Sequence, residues 1–215
     1  MHRVKPLPSF LVERYRGWKA TTYAENQAWF SRLANEGQRP RTMIIGCCDS
    51  RINLNAIFAA DIGEAFIHRN VANLVPPHEP DGEHHGTSAA VEYAVNGLQV
   101  AHIVVIGHTQ CGGVKACYDM CSGHAPDLEN KESYIGRWID ILAPAYGGLP
   151  DGDEATRVGA LERAAVITSL ENLITFPFVD KAMNEGRLSI HGAVADIARG
   201  GLDVFDAADK AFAPL

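Results

Sequence analysis

Two short runs constrain this chain more than anything else in it. Residues 43–51 read M-I-I-G-C-C-D-S-R, and residues 104–114 read V-V-I-G-H-T-Q-C-G-G-V. Each is an apolar stretch that ends in glycine and then in side chains able to hold a metal. Cys47, His108 and Cys111 offer two thiolates and an imidazole, a ligand set suited to zinc. Three protein ligands rather than four leave a coordination position free, as a catalytic zinc requires. Asp49 and Arg51 follow the first ligand closely enough to pair over the metal. The alternative is that the cysteines are ordinary buried thiols and His108 a strand-end histidine. Both runs place their polar residues at the end of a buried strand, which argues against it.

For ligands about sixty residues apart to converge, the two runs must be neighbouring strands. Residues 42–47, 64–68, 101–106, 187–194 and 202–205 read as strands. Helical spacing falls between them at 56–62, 87–96, 112–120, 133–142 and 154–174. Strands alternating with helices predict an α/β fold around a largely parallel sheet. Such sheets bind ligands outside the carboxyl ends of their strands, where strand order reverses. Residues 8–36 read as two further helices with a break near Thr21 and Thr22 and a stop at Gly37. Their tryptophans and other aromatics load this arm heavily with apolar surface, for the chain's own core or for a neighbouring subunit. Residues 76–86 form a loop rich in Pro, Gly and charge. No internal repeat, low-complexity tract or linker interrupts the chain, so a single domain is expected.

The formal charge of −7 argues against a nucleic-acid surface. No apolar stretch approaches the ~20 residues of a membrane span, and residues 1–10 lack the apolar run of a secretory signal. Five cysteines, an odd number, do not make a disulfide framework. A cytoplasmic enzyme is the class these features leave.

Zinc held by two thiolates and a neutral imidazole carries no net charge, so it acidifies water less by charge alone. The surrounding residues have to help. Asp49 can accept a hydrogen bond from a zinc-held water or hydroxide, and Arg51 can keep Asp49 ionised through a bidentate pair. A helix opening at Gly112 turns its positive end to the site, and Gly112 and Gly113 let backbone N–H groups approach closely. Hydroxide attack on a small electrophilic carbon is the simplest chemistry consistent with this set.

C-x-D-S-R at 47–51 followed by H-x-x-C-G-G at 108–113 resembles the signature of the β-class carbonic anhydrases. The likeness continues through G-E-A-F-I-H-R-N-V-A-N-L-V-P-P (63–77), A-A-V-E-Y-A-V (89–95) and I-V-V-I-G-H (103–108). It implies one zinc per subunit on Cys47, His108 and Cys111, with Asp49 and Arg51 as the catalytic pair. The activity implied is reversible hydration of carbon dioxide to bicarbonate. The plant-type branch is the best match, and it implies substrate contacts from Gln38, Phe66, Val71, Tyr93 and Gly112. In related enzymes the glutamine, phenylalanine and tyrosine come from the partner subunit, so a dimer or multiple of dimers is implied. The fold implied is a four-stranded parallel sheet plus a fifth, edge strand, flanked by helices. The arm, residues 1–37, would pack on the partner, and residues 38–215 would form the α/β core. Another branch forms a bicarbonate pocket with a tryptophan and a tyrosine at positions matching Ile44 and Ala195. Lacking both aromatics, this chain should lack the bicarbonate-driven shut-off that goes with that pocket.

Hydrolysis of carbonyl sulfide or carbon disulfide on the same zinc, or a non-catalytic zinc-binding homologue, are the alternatives. Several residues are set aside. Cys48 should point into the core, opposite its neighbour. Cys117, Cys121 and His124 have the spacing of a second metal set but no fourth ligand, which favours core. His84 and His85 read as solvated loop histidines rather than proton shuttles. His68, His102 and His191 read as structural, and Arg69 and Asn70 belong to the resemblance without a derivable role.

Overall fold

In β1 (Thr42–Cys47) every residue after Thr42 is buried, because the sheet is covered on both faces at this strand. The structure is a computed structural model that describes residues 4–80 and 85–215. Its strands are β1, β2 (Ala65–Asn70), β3 (His102–His108), β4 (Ser189–Ala195), β5 (Leu202–Asp206) and β6 (Ala211–Pro214), and its helices begin with α1 (Ser9–Trp18) and α2 (Gln27–Glu36). There follow α3 (Leu54–Ile57), α4 (His85–Glu92), α5 (Gly112–Cys121), α6 (Tyr134–Ile139), α7 (Glu154–Thr175) and α8 (Pro177–Asn184).

The chain divides into two units, Met1–Arg39 and Pro40–Leu215. In the first, Trp18 meets Phe30 edge-on at 5.7 Å, and Tyr23 stacks on Phe30 at 5.3 Å. The helix does not break at the two threonines. The Thr21 hydroxyl donates to the Gly17 carbonyl, and a π-helical turn over Lys19–Tyr23 absorbs the extra residue. The break comes at Asn26, whose φ of −118° leaves helical space. Gly37, with φ 70°, ends α2.

In the second unit the sheet order is β2-β1-β3-β4-β5-β6. The first four strands are parallel, and β5 and β6 are antiparallel. The expectation of a fifth strand at the edge is therefore corrected: β6 lies outside β5 and forms the edge. A-F-A-P is a short run ending in a proline that cannot donate to a ladder, so it carried little strand signal. One face of the sheet packs Met43, Ile45, Ile103 and Val105 against α4, α7 and α8. Gly107 and Gly192 let α7 lie close: a Cβ at either would stand 2.8 or 2.7 Å from a Val166 methyl. On the other face Ile44 and Ile106 pack with Ile52, Leu54 and Ala195.

Smaller corrections have local causes. α3 starts two residues before the expected 56–62 because the Asn53 side chain caps Ala56 N. α8, beyond the expected helices, opens on Pro177, whose fixed φ suits the first turn of a helix. α4 begins at His85, inside the expected loop, while His84 lies outside the described residues. Cys48 is exposed rather than in the core. β1 ends at Cys47, and the alternation that would have turned Cys48 inward ends with it. No helix among the described residues is long and apolar enough to cross a membrane.

Candidate active site

β1 leads to β2 on one side and β3 lies on its other side, so strand order reverses between β1 and β3. The candidate ligands stand at that switch point. Cys47 is the last residue of β1 and His108 the last of β3, while Cys111 is the residue from which α5 starts. All three are buried, and their ligand atoms lie within 4.8 Å of one another. The sulfurs of Cys47 and Cys111 are 3.8 Å apart. Two sulfurs held tetrahedrally at about 2.3 Å from one zinc ion would be about 3.8 Å apart. Nδ1 of His108 is 2.9 Å from the Thr109 carbonyl oxygen, so it carries the proton and donates it there. Nε2 keeps its lone pair, is buried, and has no hydrogen-bond partner. A buried acceptor left unpaired is costly, and a cation between it and the two sulfurs removes that cost. The three residues therefore fit a metal.

The backbone around the sulfurs is arranged to favour negative charge. The N–H groups of Asp49, at 3.4 Å, and Ala72 point at the Cys47 sulfur. The N–H groups of Gly113 and Val114, in the first turn of α5, point at Cys111. Ala72 and Asn73 both take left-handed backbone, with φ 61° and 50°. The hydrogen bond from Cys111 holds the Cys47 thiol well below the usual thiol range. Cys111 is pushed up, first by its hydrogen bond to Cys47 and then by burial.

Asp49 and Arg51 stand directly over this cluster. Nε and Nη2 of Arg51 donate to the two oxygens of Asp49 at 2.9 and 2.7 Å, and the Arg51 N–H adds a third bond at 2.9 Å. These bonds hold the Asp49 carboxyl well below the usual carboxylate range. Its Oδ2 lies 3.9 Å from Nε2 of His108. A carboxylate that stays ionised is an acceptor only, so whatever sits between it and the metal position must present a proton.

Of the expected substrate residues, Val71 packs in the cluster that holds Cys47 and Cys111. Phe66 and Tyr93 touch each other, 5.8 Å between ring centres, and Phe66 packs in a different cluster, with Met43 and Val91. The subunit's own fold thus separates that pair from Val71. Gln38 belongs to the first unit. The two glycines differ from each other. A Cβ on Gly112 would meet open space, whereas one on Gly113 would stand 2.5 Å from Val71 Cγ1 and 3.1 Å from Ala72 Cβ. Gly113→Ala is accordingly expected to push away the 71–72 turn and weaken metal affinity by roughly 10- to 100-fold, as loss of supporting contacts does. Competition with a chelator measures this, and Gly112→Ala, which meets nothing, should hold metal normally.

Residues 42–202 match the carbonic anhydrase family pattern. Over 206 residues the chain is 35% identical to Beta carbonic anhydrase 3 of Arabidopsis thaliana, covering 91% of this chain and 77% of that protein. The chain belongs to the β-class carbonic anhydrase family. Among solved structures it is similar to the β-carbonic anhydrase CcaA, with a TM-score of 0.82 and 27% identity over 96% of this chain and 91% of that one. It is also similar to one of two tetrameric β-carbonic anhydrases of the filamentous ascomycete Sordaria macrospora, with a TM-score of 0.72 and 28% identity over 91% of this chain and 95% of that one.

Three parts of this carbonic anhydrase were not visible from residue types. Arg69 donates to the carbonyls of Cys47, Asp49 and Ile52 at 2.8, 2.6 and 3.1 Å, fixing the loop that carries the first ligand and Asp49. Trp138 donates from Nε1 to the Val71 carbonyl at 2.8 Å and anchors the wall beside the cluster. Glu162 and Ser169, both buried in α7, hold the loops after β3 and β2: Glu162 accepts from Cys111 N–H, and Ser169 bonds Asn73 O and Val75 N–H. A cleft of about 570 Å³ opens beside Val71, lined also by Cys48, His68, His85, Tyr134 and Trp138. Cys117 is buried and Cys121 half-buried on α5, and neither joins a metal cluster among the described residues.

Proposed function

We propose that this carbonic anhydrase converts carbon dioxide and water reversibly to bicarbonate and a proton on one zinc ion per subunit, held by Cys47, His108 and Cys111. The unpartnered Nε2 of buried His108, within 4.8 Å of two sulfurs that are themselves 3.8 Å apart, carries the reading. Bound there, zinc supplies the Lewis acidity that makes water a nucleophile near neutral pH. The chain's own groups orient the reactants. Oδ2 of Asp49 accepts a hydrogen bond from the nucleophilic oxygen, which keeps its proton turned away and a lone pair free to meet the carbon. Arg51 holds that carboxylate in place and ionised. Val71 gives the substrate an apolar wall, which suits a molecule with little to hydrogen-bond, and the open surroundings of Gly112 leave room beside it.

A second copy of the chain would bring Gln38, Phe66 and Tyr93 to each site. The separation of the Phe66–Tyr93 pair from Val71 within one subunit supports this, as does the tetrameric relative. Phe10, Leu11 and Tyr15 remain exposed on α1 and suit burial in a dimer or multiple of dimers. Five free thiols suit a reducing compartment, the cytoplasm. We assign the chain to the plant-type branch. Ile44 and Ala195 lie in one apolar cluster, and an anion buried there would lose its hydration without recovering it.

Stopped-flow hydration of carbon dioxide, followed between about pH 6 and pH 9 beside a carbonyl sulfide assay, tests the whole reading. Asp49 is already ionised across that range, so activity should fall smoothly as pH drops, through a single ionisation, and recover at once on return. Faster turnover of carbonyl sulfide, steep cooperative inhibition by bicarbonate, or slow reactivation would each overturn the corresponding part.

A further inference from the structure

The peptide group between Gln110 and Cys111 is gripped at both ends. Its carbonyl oxygen accepts from Nη2 of Arg51 at 2.9 Å, and its N–H donates to Oε1 of Glu162 at 2.9 Å. A peptide is planar and stiff, so orienting one end orients the other. Gln110 itself is left-handed, with φ 58°, a conformation that side chains other than glycine disfavour. Left to relax, the turn would carry Gln110 to negative φ and swing the peptides on both sides of it. The carbonyl would leave Arg51 and the N–H would leave Glu162. Glu162 comes from α7, is 4% exposed, and is costly to bury without a hydrogen bond. Its bond to this N–H also makes the carbonyl at the other end a better acceptor.

We propose that Glu162 is a positioning residue that locks the Gln110–Cys111 peptide, and through that peptide sets both the Cys111 sulfur and the orientation of the Arg51–Asp49 pair. Arg51 then has two fixed acceptors, the Gln110 carbonyl and the Asp49 carboxylate, and its guanidinium plane cannot turn without losing one of them. A side chain with no place in the usual ligand or substrate set thereby reaches the reacting centre through one peptide unit. This role presupposes the proposed function of Asp49 and Arg51, whereas hydrogen exchange at the Cys111 amide does not.

The test compares Glu162→Ala, Glu162→Gln and the double variant Glu162→Ala with Gln110→Gly, each purified metal-loaded. In Glu162→Ala the Cys111 amide should exchange at least about 10-fold faster, and kcat should fall roughly 10- to 100-fold with KM little changed. The sulfur-to-metal absorption of its cobalt-substituted form should shift, and so should the midpoint of its pH–rate profile. Glu162→Gln offers the same acceptor without the charge and should keep near-normal exchange, spectrum and kcat. Gln110→Gly should restore much of the loss, because glycine takes left-handed backbone without strain. Normal exchange and an unshifted pH profile in Glu162→Ala would overturn the proposal. So would a glutamine variant as impaired as the alanine variant, because charge rather than the hydrogen bond would then be at work. If the alanine chain does not fold, the glutamine chain decides: a protected Cys111 amide supports the lock and a fast one overturns it. A Cys111 amide that responds to Glu162→Ala, in an enzyme that ignores loss of the Asp49 carboxylate, would keep the lock and reject the proposed function.

Discussion

The Cys47→Ala and His108→Ala chains are expected to purify with far less than one zinc per subunit and to hydrate carbon dioxide no faster than buffer. Removing a group that only supports a ligand weakens metal binding by roughly 10- to 100-fold, and removing a ligand itself costs more. Stability should report the same event. A metal that binds only the folded chain stabilises it by mass action, so chelation should lower the melting temperature of the parent enzyme. In either variant the same chelator should change nothing, because there is no zinc left to withdraw. The two residues also part the metal from the fold. His108 fills a buried position at the end of β3, and its truncation adds a cavity cost to the loss of metal. The smaller change at Cys47 should leave a sturdier chain. Stoichiometric zinc with near-normal turnover in either variant would remove the ligand assignment.

Asp49→Asn should separate chemistry from metal binding. The substitution keeps the size of the side chain and all three ligands, so zinc content should match the parent. It replaces an oxygen with a donor where an acceptor is needed, and it weakens the two-pronged bond with Arg51. A fall in kcat of about 100- to 10,000-fold is expected, the range for a misplaced proton-handling group. Acid stability supplies a second check. Because Arg51 lowers the Asp49 pKa in the folded chain, their pairing contributes fully above the unfolded carboxyl's value of about 4 and declines below it. That contribution disappears as acid titrates the folded carboxylate, so the variant should lose this part of the acid-side pH dependence. An unchanged pH–rate profile in Asp49→Asn would disconnect Asp49 from the nucleophile.

The parts of this enzyme legible from residue order are those whose chemistry is local. β1 is a continuous apolar run bounded by a polar approach and a metal-capable turn, and its limits, Thr42 and Cys47, were readable as such. The Asp49–Arg51 pair is two residues wide, so its geometry follows from one turn of backbone. What stayed hidden depends on distant partners. Glu162 and Ser169 sit in an Ala- and Leu-rich helix, where nothing nearby in sequence marks one carboxylate or hydroxyl as holding a loop. Ala72 is left-handed without the glycine or asparagine that usually announces it, because neighbouring contacts rather than propensity hold the turn. Arg69 shows its use only once β2 lies beside β1 and puts its guanidinium under three carbonyls. Cys48 faces solvent because strand alternation stops with β1 at Cys47.

The dependence of both site loops on α7 has a consequence for how the enzyme is made. Ser169 reaches back about ninety-five residues to Asn73 and Val75, and Glu162 about fifty to Cys111. Contacts of such long separation close large loops and are among the slower events in folding. A chain emerging from the ribosome exposes Cys47, His108 and Cys111 well before α7 exists to seat their loops. Until then the thiols are loosely arranged and open to competing soft metals or oxidants. Docking of one helix ends that interval, shaping the site and burying its sulfurs in the same step. A pause in synthesis before residue 170 is therefore expected to leave Cys47, His108 and Cys111 longest without the helix that seats their loops.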